Sequence, residues 1–338
     1  MESKNTTPIG VLVAQLGTPE APTAAALRPY LRQFLSDPRI IDLSRWIWLP
    51  ILYLFVLTRR PKRSAALYRN IWKDEGSPLL LYSRAQEKEL QTRLGDRYRV
   101  ILGMRYGEPS IDRAFRQLET EGINRVVVLP MFPQFSASTT GSVYDAVNKA
   151  AFGRSGLFLF DRKRNLPTLR YVPPYFDDGD YIESTKTIVE HAVDNMEVLP
   201  DRFLITFHGI PKRYVDEGDP YRSQCEVTAH RIANALGLGD EDWQLGFQSR
   251  FGREEWLQPY TEDLLAEMAD KGIRRVVVVA PGFTADCLET LDELGREGSE
   301  IFRSCGGEHL ELVSCLNDHP RWLDTMASLV RRESSGWT

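Results

Sequence analysis

The stretch GINRVVVLP at residues 122–130 is repeated, with few changes, as GIRRVVVVA at residues 272–280. In both copies a glycine that can end a helix precedes an unbroken apolar run, and a loop containing Phe and Thr follows. An apolar run without alternating polar residues is typical of a strand that is buried on both faces of a parallel sheet. Two explanations of the repeat stay open: convergence, or two related doubly wound domains one domain length apart.

The alternation of apolar runs with helical patterns extends over most of the chain. Further strands are predicted at residues 9–16, 99–102, 168–172, 202–207, 243–247 and 309–313. Helical patterns lie between them, at residues 23–35, 110–122, 181–195, 221–236, 256–270 and 288–302. This alternation predicts an α/β protein with parallel sheets that are covered by helices on both faces.

The composition excludes several classes of protein. With 338 residues, of which 42% are hydrophobic and 26% charged, the chain has enough apolar material for a packed core and a length typical of two domains. Disordered, fibrous and small disulfide-rich proteins are therefore excluded. The balance of 42 Lys and Arg against 47 Asp and Glu gives a net charge of −5, which disfavours a nucleic-acid partner.

The cysteines and the first residues indicate a compartment. Cys225, Cys287, Cys305 and Cys315 are far apart, and no two of them form a C-x-x-C pair. That spacing fits free thiols in a reducing compartment better than a disulfide framework or a zinc site. Residues 1–8 are polar and lack the charged and apolar regions of a secretion signal, so we expect a cytoplasmic protein.

One apolar segment differs from the predicted strands. Residues 46–57, WIWLPILYLFVL, contain no charge, and the basic run RRPKR follows at 59–63. The segment is shorter than the roughly 20 residues that a membrane-spanning helix needs, and Pro50 interrupts it. Two interpretations stay open: a buried core helix, or an apolar lip that dips into a bilayer while its basic neighbours contact anionic headgroups.

Ligands of doubly wound sheets bind beyond the carboxyl ends of the strands, so the residues after each apolar run are the candidates for chemistry. The first strand is followed by Gly17-Thr18-Pro19 rather than G-x-G-x-x-G, and the chain contains no G-x-x-x-x-G-K-[ST]. A dinucleotide-binding or P-loop enzyme is therefore disfavoured. The stretch PMFPQFSASTTGS at 130–142 is rich in hydroxyls and aromatics, and it fits either turn and cap chemistry or a ligand-binding loop.

Two titratable residues follow predicted strands in the second half of the chain. His208 follows such a strand beside a glycine, and it suits either a structural role or that of a catalytic base. Glu289 begins a series with Glu293 and Glu297 that shares one helical face. This series is either a solvated surface or a file of carboxylates that conducts or holds a hard cation. We expect His208 and Glu289 to face one another from the ends of two strands.

Together these motifs resemble those of the ferrochelatases, enzymes that insert ferrous iron into a porphyrin. The motifs are QLGTP (15–19), IWKDEGSPL (71–79), RY (105–106), PQFS (133–136), TTGS (139–142), FHGIP (207–211), GDPY (218–221), FQSRFG (247–252) and DCLETLDE (286–293). Each motif alone is weak, but the ordered set, from about residue 9 to 331, is specific. The resemblance implies two Rossmann-like doubly wound domains, 1–165 and 166–318, with a porphyrin cleft between them. It also implies that a last helix, about 319–332, returns to the first domain.

The resemblance also assigns site residues. The catalytic histidine of the family corresponds to His208 and its catalytic glutamate to Glu289. Glu293 and Glu297 correspond to the acidic file behind that glutamate. The residues expected to handle the metal are thus His208, Glu289, Glu293 and Glu297, and those expected to contact the porphyrin are Leu16, Arg105, Tyr106, Gln134, Ser136 and Thr139. The run from 34 to 57 corresponds to an apolar lip around the cleft mouth, which favours peripheral membrane contact.

The chain departs from the family pattern in three respects. Some relatives carry a second histidine where this chain has Cys287, so a histidine there is not essential if the chain is active. Some carry methionine where it has Leu16, which bears on how the porphyrin sits. Members with a [2Fe-2S] cluster use clustered cysteines, and the dispersed cysteines here predict no cluster. Ferrous iron is expected as a substrate, no resident cofactor is required, and the preceding porphyrinogen oxidase is a candidate partner.

The function that the resemblance implies is insertion of Fe2+ into protoporphyrin IX, the last step of haem synthesis. Two alternatives stay open. One is a cobalt chelatase of corrinoid synthesis, which uses a related architecture, and the other is a carrier that binds a tetrapyrrole or a metal without turnover. Between protoporphyrin and coproporphyrin, the lip favours the more apolar protoporphyrin.

Overall fold

The computed structural model describes residues 7–156, 159–252 and 254–337, and it divides into two compact units. One unit comprises the residues up to 131, 137–173 and those from 323 on, and the other comprises 132–136 and 174–322. Each unit is built around its own sheet of four parallel strands. The predicted α/β class with parallel sheets in two Rossmann-like domains is therefore confirmed.

The first unit has its sheet strands in β1 (Ile9–Gly17), β2 (Tyr98–Tyr106), β3 (Arg125–Pro130) and β6 (Thr168–Tyr171), and a separate antiparallel pair in β4 (Gly153–Gly156) and β5 (Leu159–Arg162). Its helices are α1 (Ala24–Leu35), α2 (Arg45–Ile51), α3 (Leu57–Ile71), α4 (Pro78–Leu94), α5 (Ile111–Thr120) and α6 (Ser142–Phe152), with π-helical segments π1 (Leu52–Val56) and π2 (Ala137–Gly141). The strand order is β2-β1-β3-β6. The side chains of 11–14 and 126–129 are fully shielded from solvent, as expected for strands covered on both faces.

The second unit contains strands β7 (Arg202–His208), β8 (Trp243–Gln248), β9 (Arg275–Val279) and β10 (His309–Leu312) in the order β10-β9-β7-β8. Its helices are α7 (Gly179–Asp194), α8 (Lys212–Asp216), α9 (Tyr221–Ala235), α10 (Thr261–Asp270), the π-helix π3 (Glu289–Gly298) and α11 (Ser299–Ser304). The last helix, α12 (Pro320–Glu333), begins in this unit, and its residues from 323 on belong to the first unit. Fully shielded residues of β7 and β9 form the centre of this sheet.

The strand β6 lies in the first sheet, whereas the sequence analysis placed residues 168–172 in a second domain starting at 166. β6 pairs with β3 in a register that runs from Arg125–Thr168 to Val128–Tyr171. The boundary between the units consequently follows Pro173. The pattern of apolar residues along the chain identifies a strand, but it does not show which sheet the strand joins.

Two predicted helices take a different form in the structure. The helix predicted at 256–270 begins only at Thr261, because Pro259 removes a backbone donor and Trp256 forms an isolated bridge with Pro211. The helix predicted at 288–302 is π-helical from Glu289 to Gly298 before it continues as α11. A π-helix bonds each carbonyl to the fifth residue ahead, and such segments are rare and frequent at functional sites.

Most of the apolar segment at 46–57 is exposed, whereas Leu52 and Leu57 are buried. No side chain of α2 is buried, and Trp46, Leu54 and Phe55 are 91%, 65% and 57% exposed. Its interpretation as a buried core helix is therefore wrong. Among the residues that the structure describes, no helix is long and apolar enough to cross a membrane.

Candidate active site

The carboxyl edge of the second sheet carries His208. It is the last residue of β7 and lies opposite Gln248, the last residue of β8, in the register of these parallel strands. Gly209 donates its backbone N–H to the Gln248 carbonyl over 2.8 Å. A Cβ atom at Gly209 would stand 2.9 Å from that carbonyl oxygen and 3.2 Å from the Trp256 ring. Glycine at this position therefore allows the two strand ends to approach each other closely.

The imidazole of His208 is held in one tautomer. Its Nδ1 lies 2.6 Å from the carbonyl oxygen of Gly209. Because a carbonyl oxygen only accepts hydrogen bonds, Nδ1 carries the proton of the neutral ring and Nε2 carries the free lone pair. The ring is half-buried and its centroid lies 6.3 Å from that of the Trp256 ring. His208 is thus arranged to accept a proton at Nε2, as a catalytic base requires.

Glu289 is the first residue of π3, and a buried carboxylate fixes the loop before this helix. Asp286 accepts a hydrogen bond from the Asn317 side-chain amide over 2.7 Å, and its backbone N–H donates to the Asn317 side-chain oxygen over 2.9 Å. Asn317 has a left-handed backbone with φ of 46°, which asparagine tolerates better than most residues. This reciprocal pair holds the loop that leads into π3, and sequence reasoning gave neither residue a role.

The carboxylate of Glu293 is partly buried further along π3. The Ser249 hydroxyl lies 2.7 and 2.8 Å from its two oxygens and donates a hydrogen bond to it. Burial raises the pKa of Glu293 above its ordinary value. The neighbouring His208 and the Ser249 hydroxyl oppose this rise, whereas the charges of Glu289 and Glu297 add to it. The interpretation of the series as a solvated surface therefore does not account for Glu293, whose carboxylate is partly buried.

Glu297 has a different environment from Glu293. Its side chain is 47% exposed, and its carboxylate accepts a hydrogen bond from Arg296 over 2.9 Å. The predicted acidic series therefore has a partly buried member, Glu293, with no arginine partner among the residues that the structure describes, and an outer member, Glu297, that is paired at the surface.

Ser249 is a site residue that sequence reasoning missed. Its backbone is left-handed, with φ of 69°, although it is not a glycine. In an extended strand successive side chains point to opposite faces, so strand periodicity would have directed Ser249 away from the face of Gln248. The FQSRFG motif was the available signal, but nothing in it indicates the left-handed turn.

Gln134 and Ser136, which were predicted to contact the porphyrin, are buried and bonded within the second unit. The Gln134 side-chain amide donates to the Thr228 hydroxyl over 3.0 Å, and the Ser136 hydroxyl donates to Asp219 over 2.9 Å. These bonds give the PQFS and GDPY motifs a structural role. Contact of these two side chains with a porphyrin stays a prediction.

Leu16 and Thr139 are half-buried residues of the first unit, in β1 and π2. Gly17, which follows Leu16, has φ of 112°, and a Cβ atom there would lie 1.8 Å from the Tyr106 carbonyl oxygen. The glycine of the QLGTP motif is thus required by the approach of β1 to β2. The porphyrin contacts of Leu16 and Thr139 also stay predictions.

Arg105 and Tyr106 end β2 and share a buried carboxylate, Asp37, that sequence reasoning missed. Arg105 forms an ion pair with Asp37. The hydroxyls of Tyr106 and Ser142 donate to the same Asp37 oxygen over 2.7 and 2.6 Å. Burial alone would raise the pKa of Asp37, but these two hydrogen bonds and the Arg105 charge bring it below its ordinary value. Tyr106 is 1% exposed, so its observed role is to hold Asp37, and a ligand contact stays a prediction.

The residues expected to handle the metal are near one another without converging on one point. Within residues 7–156, 159–252 and 254–337, no three His, Cys, Asp or Glu side chains are placed to hold a single metal ion. Glu293 nevertheless interacts electrostatically with the other three, His208, Glu289 and Glu297. This placement fits side chains that a cation contacts one after another better than side chains that bind it together at one point.

Comparison with known proteins identifies the family. The ferrochelatase family model matches residues 8–334. The chain is 45% identical over 343 aligned residues to the ferrochelatase of Alcanivorax borkumensis, an alignment that covers 100% of this chain and 97% of that protein. The chain belongs to the ferrochelatase family. Ferrochelatase 1 of Shewanella oneidensis is 43% identical over 333 residues, which cover 97% of this chain and 96% of that protein.

Solved chelatase structures share the fold of this ferrochelatase-family chain. The sirohydrochlorin chelatase SirB from Bacillus subtilis subspecies spizizenii, in complex with cobalt, matches with a TM-score of 0.56 at 12% identity, covering 96% of this chain and 95% of that chain. SirB from Bacillus subtilis with Fe3+ gives a TM-score of 0.53 at 15% identity, covering 76% of this chain and 90% of that chain. At such identities the likeness establishes the fold alone.

Replacing Asp37 by Asn should lower the free energy of unfolding by roughly 2 to 4 kcal/mol at neutral pH, because it leaves the partly buried Arg105 without its ion-pair partner. The pKa of Asp37 is lowered in the folded state, so its stabilisation is present above the unfolded pKa and is lost as the pH falls through the folded value. Urea unfolding of both proteins at neutral pH and at about pH 3 measures the difference, which should shrink in acid.

The matched control is Asp145→Asn, which removes the exposed partner of Arg39 and should lower the free energy of unfolding by less than about 1 kcal/mol. An Asp37→Asn effect of the same size at both pH values would contradict the charge-based role of Asp37.

Proposed function

We propose that this protein inserts Fe2+ into protoporphyrin IX to form protohaem, the last step of haem synthesis. The observation that carries the proposal lies at one edge of the second sheet. There, a histidine whose Nε2 has the free lone pair interacts with the partly buried carboxylate of Glu293. Membership of the ferrochelatase family over residues 8–334 supports the assignment as a metal chelatase, a lyase.

The reaction exchanges two pyrrole N–H protons for one Fe2+ ion, so charge is conserved and iron keeps its oxidation state. His208 accepts a pyrrole proton at Nε2, and Glu289 assists the exit of the proton or orients the imidazole. A bent macrocycle opens its nitrogen lone pairs towards one face, and binding energy from remote parts of the porphyrin sustains the bend. This exchange needs no resident redox group, and we propose that the protein has neither such a cofactor nor a [2Fe-2S] cluster.

We also propose that Glu297, Glu293 and Glu289 contact the incoming metal in that order. Glu297 is the exposed member, and Glu293 is the partly buried member whose pKa is raised. A divalent cation would remove the repulsion among the three carboxylates, which favours its presence beside them. Iron is a substrate in this scheme, and it leaves the carboxylates for the four porphyrin nitrogens.

Replacing Glu293 by Gln should raise the metal concentration at half-maximal rate by about tenfold with a smaller fall in kcat. The amide retains a hydrogen-bond partner for Ser249 but lacks the charge that attracts the cation. Initial rates of Zn2+ insertion into protoporphyrin IX, measured against metal concentration, check this. Glu297→Gln should have a smaller effect, because its carboxylate is exposed and paired with Arg296.

Glu300→Gln is the control, since Glu300 is another exposed partner of Arg296 but lies outside the predicted file. An unchanged metal dependence in the Glu293 variant would refute the proposed route.

Replacing His208 by Ala should lower kcat by about a hundredfold or more, because the base for the pyrrole protons is lost. Porphyrin affinity, followed by absorbance titration, should change little. His230→Ala is the control: its imidazole packs edge-on against Trp243, with centroids 5.1 Å apart, and has no proposed part in the chemistry. Equal losses of porphyrin affinity and turnover in His208→Ala would argue against a base.

A cobalt chelatase of corrinoid synthesis is the nearest alternative, since a sirohydrochlorin chelatase shares the fold. The chain is only 12% identical to that protein, against 45% to a ferrochelatase over its full length, which favours the haem branch. A carrier without turnover would bind porphyrin equally with and without His208. Rates with Fe2+ and Co2+, each with protoporphyrin, coproporphyrin and sirohydrochlorin, separate these functions.

We propose that the protein is cytoplasmic and that the lip, residues 34–57, docks it on a membrane surface. Trp46, Leu54 and Phe55 are among the exposed apolar side chains of the lip, whereas Leu35, Leu52 and Leu57 are buried. The basic residues Arg59, Lys62 and Arg63 beside it are exposed as well. Apolar contact with the acyl boundary together with cations at anionic headgroups is how peripheral segments bind. A membrane site favours protoporphyrin over the more polar coproporphyrin, and it favours direct supply by the preceding porphyrinogen oxidase.

A variant with Trp46, Leu54 and Phe55 all replaced by Ser should bind vesicles of phosphatidylcholine and phosphatidylserine about tenfold more weakly than wild type, because it lacks the apolar anchors. Co-sedimentation measures the binding, and the exposed positions should leave the melting temperature nearly unchanged. The control replaces Val198 and Leu199, which are 54% and 69% exposed in the second unit, by Ser. Equal vesicle binding by both variants would refute a docking role for the lip.

A further inference from the structure

The side chain of Gln248 has no part in the reaction described so far, yet it contacts the helix that carries Glu289. Gln248 ends β8, is 4% exposed and is the register partner of His208. Its side-chain amide donates a hydrogen bond to the backbone carbonyl of Glu289 over 3.0 Å. One side chain therefore connects the strand end beside the proposed base to the first residue of π3.

The backbone around Gln248 is fixed on both sides. Its carbonyl accepts the N–H of Gly209 over 2.8 Å, one residue after His208. The left-handed backbone of Ser249 breaks the alternation of an extended strand, so the side chains of Gln248 and Ser249 both reach π3, one at the Glu289 carbonyl and one at Glu293. Positive φ in a residue other than glycine is strained and persists where the surroundings hold it in place.

Two buried polar atoms beside His208 lack hydrogen-bond partners among the residues that the structure describes. They are the side-chain oxygen of Gln248 and the indole N–H of Trp256, whose ring lies against Gly209 and near the imidazole. A buried polar atom without a partner is destabilising, so these two atoms add nothing to stability where they stand.

We propose that Gln248 is a positioning residue for Glu289. Its amide fixes the main chain from which the Glu289 side chain extends. It thereby keeps the Glu289 carboxylate in a fixed position relative to His208. The inference rests on the proposed metal insertion. Without this bond the start of π3 is free to shift, and a displacement of about 1 Å can lower a rate by up to a hundredfold. The loss should fall on kcat, because substrate contacts elsewhere are unchanged.

The test replaces Gln248 by Met, which has a similar length but no donor. We expect kcat for Zn2+ insertion into protoporphyrin IX to fall about tenfold or more, with the KM values for Zn2+ and porphyrin within about threefold of wild type. Because Met is close to Gln in volume, such a fall would make the carboxamide, rather than the side-chain volume, responsible.

The matched control is Gln91→Met in the first unit. The Gln91 amide donates to the backbone carbonyls of Gly95 and Tyr98 over 3.1 and 2.9 Å, so this variant loses bonds of the same kind away from the site. It should lower the melting temperature and leave kcat unchanged. If Gln248→Met does not fold, Gln248→Asn, whose amide is one methylene shorter, should show the same loss of kcat.

A kcat within about twofold of wild type in a folded Gln248→Met protein would overturn the inference. So would a rise in KM that accounts for the whole loss, since it would make Gln248 a binding residue. Wild-type protein that binds porphyrin without turnover would overturn the proposed function and this inference together, whereas an active wild type with an equally active variant overturns the inference alone.

Discussion

The constraint on which the rest of the site depends is that the Glu293 carboxylate is partly removed from water and its charge is only partly offset by neighbouring groups. A charge removed from water destabilises a protein unless hydrogen bonds or opposite charges offset the loss of hydration. The Ser249 hydroxyl and the nearby His208 provide part of that compensation. Glu289 and Glu297 add repulsion, so the pKa of Glu293 is raised. A divalent cation would offset this repulsion, and this is the physical argument for the proposed passage of metal along π3.

Asp37 in the first unit shows the opposite arrangement. Arg105 and the hydroxyls of Tyr106 and Ser142 satisfy this carboxylate within the protein, and its pKa is lowered. Asp37 thereby holds the end of β2 in place. The two carboxylates have the same intrinsic chemistry, and the difference between their partners explains why the pKa of Asp37 is lowered and that of Glu293 is raised.

The position of Glu289 is set by contacts from segments that are remote in sequence. Asn317 fixes the loop at Asp286, where π3 is about to begin, and the Gln248 amide bonds the Glu289 carbonyl itself. The position of a side chain at the start of a helix is only as well defined as the contacts that hold that start in place. These contacts connect the buried strands to the position of Glu289, which the proposed mechanism places beside the proton acceptor His208.

The sequence by itself determined the two α/β domains, the placement of His208 and Glu289 after strands, and the family. Unbroken apolar runs, helix-ending glycines and ordered motifs are properties of residues that are close in sequence. They can therefore be recognised without a three-dimensional structure. Only the tertiary structure assigned β6 to the first sheet, showed that most of the segment at 46–57 is exposed, and showed Asp37 as the partner of Arg105. Only it showed the left-handed turn at Ser249 and the bond from Gln248 to Glu289. Such features depend on contacts between residues that are tens or hundreds of positions apart. Strand pairing and burial decide these contacts, and the local sequence pattern does not contain them.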